Sequence, residues 1–413
     1  MLKRTVSLLL LLSSPVFAQT RAIRAGHLVD PARGTVSTNV VILVQDGKIT
    51  AVGGNLQVPA GAEVVDLSNA WVMPGLMDAH VHLTYGVAPG AFNLVGAYLD
   101  EGTGLRALHG ARNAKHVLEA GFTAVKDIGN DANYAAVDLR RAIERGWVPG
   151  PSMLTTGKII APFGGQSQGI PPELGPYWHF EYIDADTPDE VRKAVRQNLY
   201  YGANAIKLVA DNNRYSYSEA EIRAAAEEAH AAGVTLAVHV QGGQAARNAI
   251  LGGADSIEHG FGLTDELLTL MKEKGTFLAG TEFPAAHFKA MQYGADGGAG
   301  LAAQIVERLR RAYRLGVKMA FSTDIVVELP DKNRGQMALD YLDVWTAAGV
   351  PAKDILKCMT TNVAELFRWQ GKRGAIAPGE AADIIATPAN PLDDIQALRK
   401  EQFVMKDGKV VKR

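Results

Sequence analysis

Met73-Pro-Gly-Leu-Met-Asp-Ala-His80-Val-His82-Leu83 is an apolar run that ends in His-x-His. Side chains at i and i+2 of a strand share a face, so His80 and His82 project together from its end. Paired neutral imidazoles are good ligands for a borderline transition metal, and they belong in a core only when each finds a hydrogen-bond partner. The pair alone leaves both readings open. Further candidates stand at Lys207, His239, His259 and Asp324, each at or near the end of another apolar, strand-like run.

Those runs lie near residues 72–80, 122–128, 152–157, 204–210, 234–240, 255–259, 276–281 and 317–323, with amphipathic helical patterns between them. One pattern, Ser218-Glu-Ala-Glu-Ile-Arg-Ala-Ala-Ala-Glu-Glu-Ala-His230, opens on an N-cap serine followed by acidic residues. Eight strand and helix units over about 250 residues predict an α/β fold, a parallel (β/α)8 TIM-like barrel over residues 74–375. In such a barrel the C-terminal strand ends build the site, and the first, fourth, fifth, sixth and eighth runs carry the candidate ligands. The chain ends read differently. Residues 19–73 alternate apolar and polar around a hairpin on Asp46-Gly47, and residues 376–413 repeat the pattern around Asp407-Gly408, so the two segments are expected to pair into one small β-sandwich.

Lys3-Arg4, the apolar run Leu8 to Leu12 and the small residue Ala18 predict a secretory signal peptide over residues 1–18, cut after Ala18, and hence a periplasmic or secreted protein. The run is too short to span hydrocarbon, so no membrane anchor is expected. Cys358, the sole cysteine, reads as packing in a disulfide-free fold. With 413 residues and 47% hydrophobic content the chain can bury a large core without staples. Its net charge of -2, with no basic or acidic block, argues against nucleic acid or an anionic membrane surface and for a small-molecule partner. Whether copies assemble into a homo-oligomer is left open.

Lys207 lies in Ala205-Ile-Lys-Leu-Val-Ala210, a setting in which an unpaired ammonium is costly. Such a lysine either pairs with a carboxylate or loses its proton, and a neutral amine can add carbon dioxide to give an anionic carbamate able to bridge two metal ions. His239 ends Val234-Thr-Leu-Ala-Val-His239, and His259 follows one unit later in Asp255-Ser-Ile-Glu-His259-Gly. Asp324 closes Ala320-Phe-Ser-Thr-Asp324 and is placed to touch a metal and to accept a proton.

This set resembles the amidohydrolase superfamily, in the subgroup whose fourth strand carries a carboxylated lysine, and Ser256-Ile-Glu-His-Gly260 is similar to the imidazolonepropionase-like branch that includes Xaa-Pro dipeptidases. The likeness runs from about residue 22 to the end, through Gly374-Ala-Ile-Ala-Pro-Gly379-Glu-Ala-Ala-Asp383. It implies two divalent metal ions, zinc being the expectation. His80 and His82 would hold one, Lys207 would bridge as its carbamate, His239 and His259 would hold the second, and Asp324 would be ligand and general base. The implied activity is hydrolysis of an amide bond in an N-acyl amino acid, dipeptide or related compound. Dipeptidase-like members have Gly-Gly-His where this chain has Gly164-Gly165-Gln166, and a tyrosine where it has Gln241. Both positions are expected to contact substrate, with altered specificity. A mononuclear deaminase, which would leave Lys207 idle, a cyclic-amide hydrolase of the same superfamily and a non-catalytic scaffold are the alternatives.

Other signals point to structure or to the rim of the site. Gly165-Gln-Ser167-Gln-Gly169 fits a serine-nucleophile pattern, but that motif needs a helix directly after the serine and Ile170-Pro171-Pro172 forbids one. Gly102-Thr-Gly104 fits a loose dinucleotide fingerprint without a preceding strand and reads as a helix start. Residues 158–185 are too long for an idle connection and form a candidate lid or pocket wall, its aromatic stretch 177–182 covering substrate. His179, His287 and Arg214 are further candidate substrate contacts, Arg214 as a clamp on a substrate carboxylate.

Overall fold

The computed structural model describes residues 20–87, 101–130, 132–167, 171–211 and 214–413. The segment read as a signal peptide, 1–18, and the second half of the Gly165–Gly169 motif lie outside the described residues. Strands β1 (Arg21–Asp30), β2 (Thr35–Gln45) and β3 (Lys48–Gly53) form a meander, and β4 (Glu63–Pro74) runs parallel to β1. The β2–β3 turn puts Asp46 and Gly47 at φ 51° and 77°, the left-handed geometry that an Asp-Gly hairpin supplies.

The run expected over 72–80 is two strands. β4 ends at Pro74, and β5 (Leu76–Val81) begins the barrel. Between them stands Gly75, where a Cβ would lie 2.2 Å from the Thr123 hydroxyl. Only a residue without a side chain lets the chain pass from sheet to barrel against β6 (Phe122–Asp127).

The barrel continues through β7 (Ser152–Thr155), with β8 (Ile159–Ala161) and β9 (Tyr182–Asp184) beyond it, then β10 (Ile206–Val209), β11 (Leu236–Gly242), β12 (Ser256–Gly262) and β13 (Phe277–Ala279). All barrel pairings are parallel, and helices cover the outside. The seam between β7 and β10 is held by the amides of Asn204 and Ala205 donating to Thr155 O. Residues 317–323 form the eighth stave without becoming a regular strand. Ala320 N–H donates to Leu278 O at 2.9 Å, and on the other side Ala79 N–H donates to Phe321 O at 2.8 Å, which closes the ring.

The helix Glu219–Ala231 starts at Ser218 in a full capping box with Glu221, as its sequence predicts. The Gly102-Thr-Gly104 segment opens the helix Thr103–Glu119, and Cys358 is buried in the helix Ala352–Cys358.

The termini do pair, as one hydrogen-bonded sheet rather than two. β14 (Ile384–Thr387), β15 (Phe403–Lys406) and β16 (Lys409–Lys412) extend it to the order β16-β15-β14-β4-β1-β2-β3. The sheet curls until Ile49 N–H donates to Glu380 O and Gly379 N–H donates to Ile49 O, at 2.9 and 2.8 Å. That closure encloses a separate core of Ile23, Ile42, Val72, Ile384, Phe403 and Met405, so the unit packs like a sandwich while bonding as a single sheet.

Candidate metal centre

His80 is the penultimate residue of β5, and His82 follows its end. Both rings are buried, and their Nε2 atoms lie 3.3 Å apart. Asp324 Oδ1 lies 3.3 Å from one Nε2 and 3.0 Å from the other. The opposite nitrogens are already committed: His82 Nδ1 to Gly129 O and His80 Nδ1 to Glu258 Oε2, each at 2.7 Å. A carbonyl and a carboxylate only accept, so each Nδ1 carries a proton, which leaves the two Nε2 atoms as the positions that face Asp324 and that a cation would take as ligands. Three electron-rich atoms facing one point fit a cation better than they fit one another, and these three residues form a group able to hold a metal ion.

Lys207 stands on β10, 3% exposed. Burial lowers its ammonium to about 8, against the pull of Glu258 and Asp324. Among the described residues it makes no hydrogen bond or ion pair, so the alternative of a carboxylate-paired lysine is not what the structure contains. His239 and His259, on β11 and β12, have ring centroids 4.4 Å apart, and His259 lies 5.1 Å from His80. Burial lowers His239 to about 3 and His259 well below the ordinary histidine range, so both rings are neutral ligands-in-waiting. His239 Nε2 is buried without a hydrogen-bond partner among the described residues, and so is Asp211 Oδ1, 3.8 Å away. Asp324 is held well below the usual carboxylate range: burial would raise it, but the His80 and His82 rings outweigh that.

Backbone geometry aims these groups. His259, Thr281 and Asp324 all have left-handed backbones, φ 66°, 47° and 57°, a conformation that costs a non-glycine residue of order 1–3 kcal/mol and clusters at functional sites. On a regular strand Glu258 and His259 would face opposite ways. The left-handed turn at His259 brings its ring in beside His80, while Glu258 reaches the His80 Nδ1 from inside the barrel.

The sequence reading assigned no role to several supporting groups. Glu258, fully buried, bonds His80 and lies 3.6 Å from the Lys126 ammonium. Asp78 accepts from His80 N–H at 3.0 Å and from the Thr323 hydroxyl at 2.7 Å, tying the first stave to the eighth. Thr281 Oγ1 sits 2.8 Å from His259 Nδ1. Their signal was available: charged residues inside otherwise apolar strands need partners.

A cavity of about 310 Å³ opens over these groups, lined by His80, His82, Lys207, His239, His259 and Asp324 among others. Gln166 and Gln241 also line it, with Gln166 Oε1 accepting from the Tyr182 hydroxyl at 2.8 Å. The 158–185 segment contributes Ile159, Gln166 and Tyr182 to the wall. Three expected substrate contacts lie elsewhere. His179 is half exposed and turned to Asp184, 2.6 Å away, because its short helix packs Trp178 rather than His179 inward. His287 is fully buried behind the wall against Tyr341. Arg214 is exposed and outside the lining. The Ser167 hydroxyl donates to Gly164 O within its own turn, a structural use.

A (β/α)8 barrel with His-x-His, a strand-end Asp and buried neutral histidines defines a metal-dependent hydrolase. The Amidohydrolase family profile matches residues 71–411, and the chain belongs to that family, enzymes acting on carbon–nitrogen bonds. Ochratoxinase of Aspergillus niger is 28% identical over 450 aligned residues, covering 98% of this chain and 89% of that protein. The crystal structure of a Xaa-Pro dipeptidase with methionine bound in its active site is 29% identical, with a TM-score of 0.84 over 96% of this chain and 100% of that one. A prolidase complexed with N-methylphosphonate-L-proline is 27% identical, with a TM-score of 0.83 over 96% and 100%.

Proposed function

We propose that this chain is a binuclear amide hydrolase, with His80 and His82 at one cation, His239 and His259 at the other, Asp324 as ligand and proton carrier, and Lys207 as a carbamate bridge. The observation that carries the reading is the convergence of donor atoms on one cavity: the Nε2 atoms of His80 and His82 beside Asp324, His239 Nε2 buried without a hydrogen bond among the described residues, and the buried Lys207 amine. Nitrogen and oxygen donors suit Zn2+. Divalent cations bound there would supply the Lewis acidity that activates water and polarises the scissile carbonyl. Asp324 then accepts a proton and passes it to the departing amine, its position fixed by its own N–H donating to His80 O at 2.8 Å. Glu258 and Gly129 O hold the His80 and His82 tautomers, and Ile159, Gln166 and Tyr182 wall one side of the cavity.

The relatives named for dipeptides, prolyl compounds and ochratoxin support a substrate among amides of acylated or aminoacylated amines. Two divalent ions per chain by elemental analysis, and a Lys207 heavier by the mass of carbon dioxide in an experimental map, are the expected results. Amidase activity that survives exhaustive chelation would overturn the reading. Residues 1–18 support export as a further proposal, and N-terminal sequencing of exported protein is expected to begin at Gln19.

A further inference from the structure

We propose that the substrate is uncharged where it meets the pocket wall: the site takes a neutral amide with an aromatic or branched apolar group and discriminates against a free carboxylate beside the scissile bond. This rests on the amide-hydrolase reading above and refines its substrate class.

The wall facing the ligand cluster is apolar, built from Phe261, Phe283, Phe288, Met291, Leu301 and Val326. Its polar members apart from the cluster are neutral, chiefly Tyr85, Asn130, Gln166 and Gln241. Lys207 is the sole lysine or arginine among the lining residues, and the proposed reading uses it as a bridge. Residues 88–100, 131, 168–170 and 212–213 contain no Lys, Arg or His, so they bring no cation to the cavity.

The arginines behind the wall are already matched. Arg106 pairs with Glu181 at 3.0 Å, and Arg308 pairs with Glu282 at 2.9 Å and donates to Gly280 O. Asn130 gives its amide to Glu181 at 2.6 Å. The Tyr85 hydroxyl is buried without a hydrogen-bond partner among the described residues, and burial pushes its pKa up, so it stays a neutral donor. A carbonyl or amide of the substrate satisfies such groups with one hydrogen bond, whereas a carboxylate moved there loses its water without gaining a counter-charge.

The test compares benzoyl-phenylalanine with benzoyl-phenethylamine, which differ only by the carboxylate. Metal-loaded enzyme is expected to show at least a tenfold higher kcat/KM for the neutral compound, and equal rates or a preference for the acid would overturn the proposal. Binding decides it independently of turnover. Benzenesulfonyl-phenethylamine is expected to bind at least tenfold tighter than benzenesulfonyl-phenylalanine by calorimetry, and the reverse order or equality would overturn it. Turnover of neither amide, with that binding order intact, would sink the hydrolase reading while leaving the neutral pocket standing. Gln241→Arg and Gln166→Arg each place a cation on the wall, and at least one is expected to shift the kcat/KM ratio tenfold towards the acid. No shift in either folded variant would count against the wall as the determinant.

Discussion

Glu258 has two jobs at a single residue. It fixes the His80 tautomer through a 2.7 Å contact and faces the buried Lys126 ammonium at 3.6 Å. Burial would raise its carboxyl, but Lys126, His80 and Lys207 hold it down at about 2, so it is anionic at neutral pH. Glu258→Gln keeps the shape and removes the charge. Metal affinity is expected to fall about 10–100-fold, the scale for losing a partner that orients a ligand. Leaving Lys126 without a counter-charge is expected to cost roughly 3–5 kcal/mol in chemical denaturation. An unchanged metal affinity would show that Glu258 serves the core alone. For Lys207, replacement by alanine is expected to reduce bound metal below two per chain and abolish most activity, with partial rescue by small carboxylic acids that stand in for the carbamate. Normal activity and metal content in Lys207→Ala would make the lysine structural.

At the scale of elements, the site depends on how staves end. Asp78 and Thr323 cross-link β5 to residues 317–323, and left-handed backbones occur at His259 within β12, at Thr281 just past β13 and at Asp324 just past residues 317–323. The join between β4 and β5 is equally tight. Gly75→Ala would drive a methyl into Thr123, whose hydroxyl and methyl would lie 2.2 and 2.4 Å from the new carbon. Overpacking of this kind costs about 1–3 kcal/mol, and Thr123→Ala in the same chain is expected to restore part of it by removing both atoms. Equal stability of wild type and Gly75→Ala in urea unfolding would show that the junction yields freely.

Across the whole molecule, charged clusters outside the site set the response to acid. Burial would raise Asp340, but His287, Lys332 and Arg399 hold it well below the usual carboxylate range. Glu328 is likewise held down by His109, Arg334 and Arg112 in spite of its burial. Their unfolded values lie near 4, and the folded values are lower, so their stabilisation is complete above about pH 5 and fades as pH falls through the folded values. Tm is therefore expected to drop below about pH 4. Asp340→Asn is expected to have a lower Tm at pH 7 and a shallower loss in acid, and an acid slope identical to wild type would exclude Asp340 as a contributor.

What the sequence determined by itself was the alternation of apolar runs and helices, and with it the barrel and the line of candidate ligands at its strand ends. Those ligands are legible because a polar residue closing an apolar run has one place to go, the open C-terminal face. The capped helix at Ser218 and the hairpins at Asp46-Gly47 and Asp407-Gly408 are local in the same sense, fixed by residues within a few positions of one another. Tertiary structure alone decided the rest. Glu258 and Asp78 find their partners across the barrel, and His259 turns inward through a backbone conformation that no period encodes. His179, His287 and Arg214 sit on connections without periodicity, so their direction was set by what packs against them: Trp178 takes the inward place beside His179, and Tyr341 encloses His287. The pocket wall is likewise assembled from side chains on separate connections, and its neutrality exists only once the barrel closes, because the arginines behind it, Arg106 and Arg308, are matched there by Glu181 and Glu282.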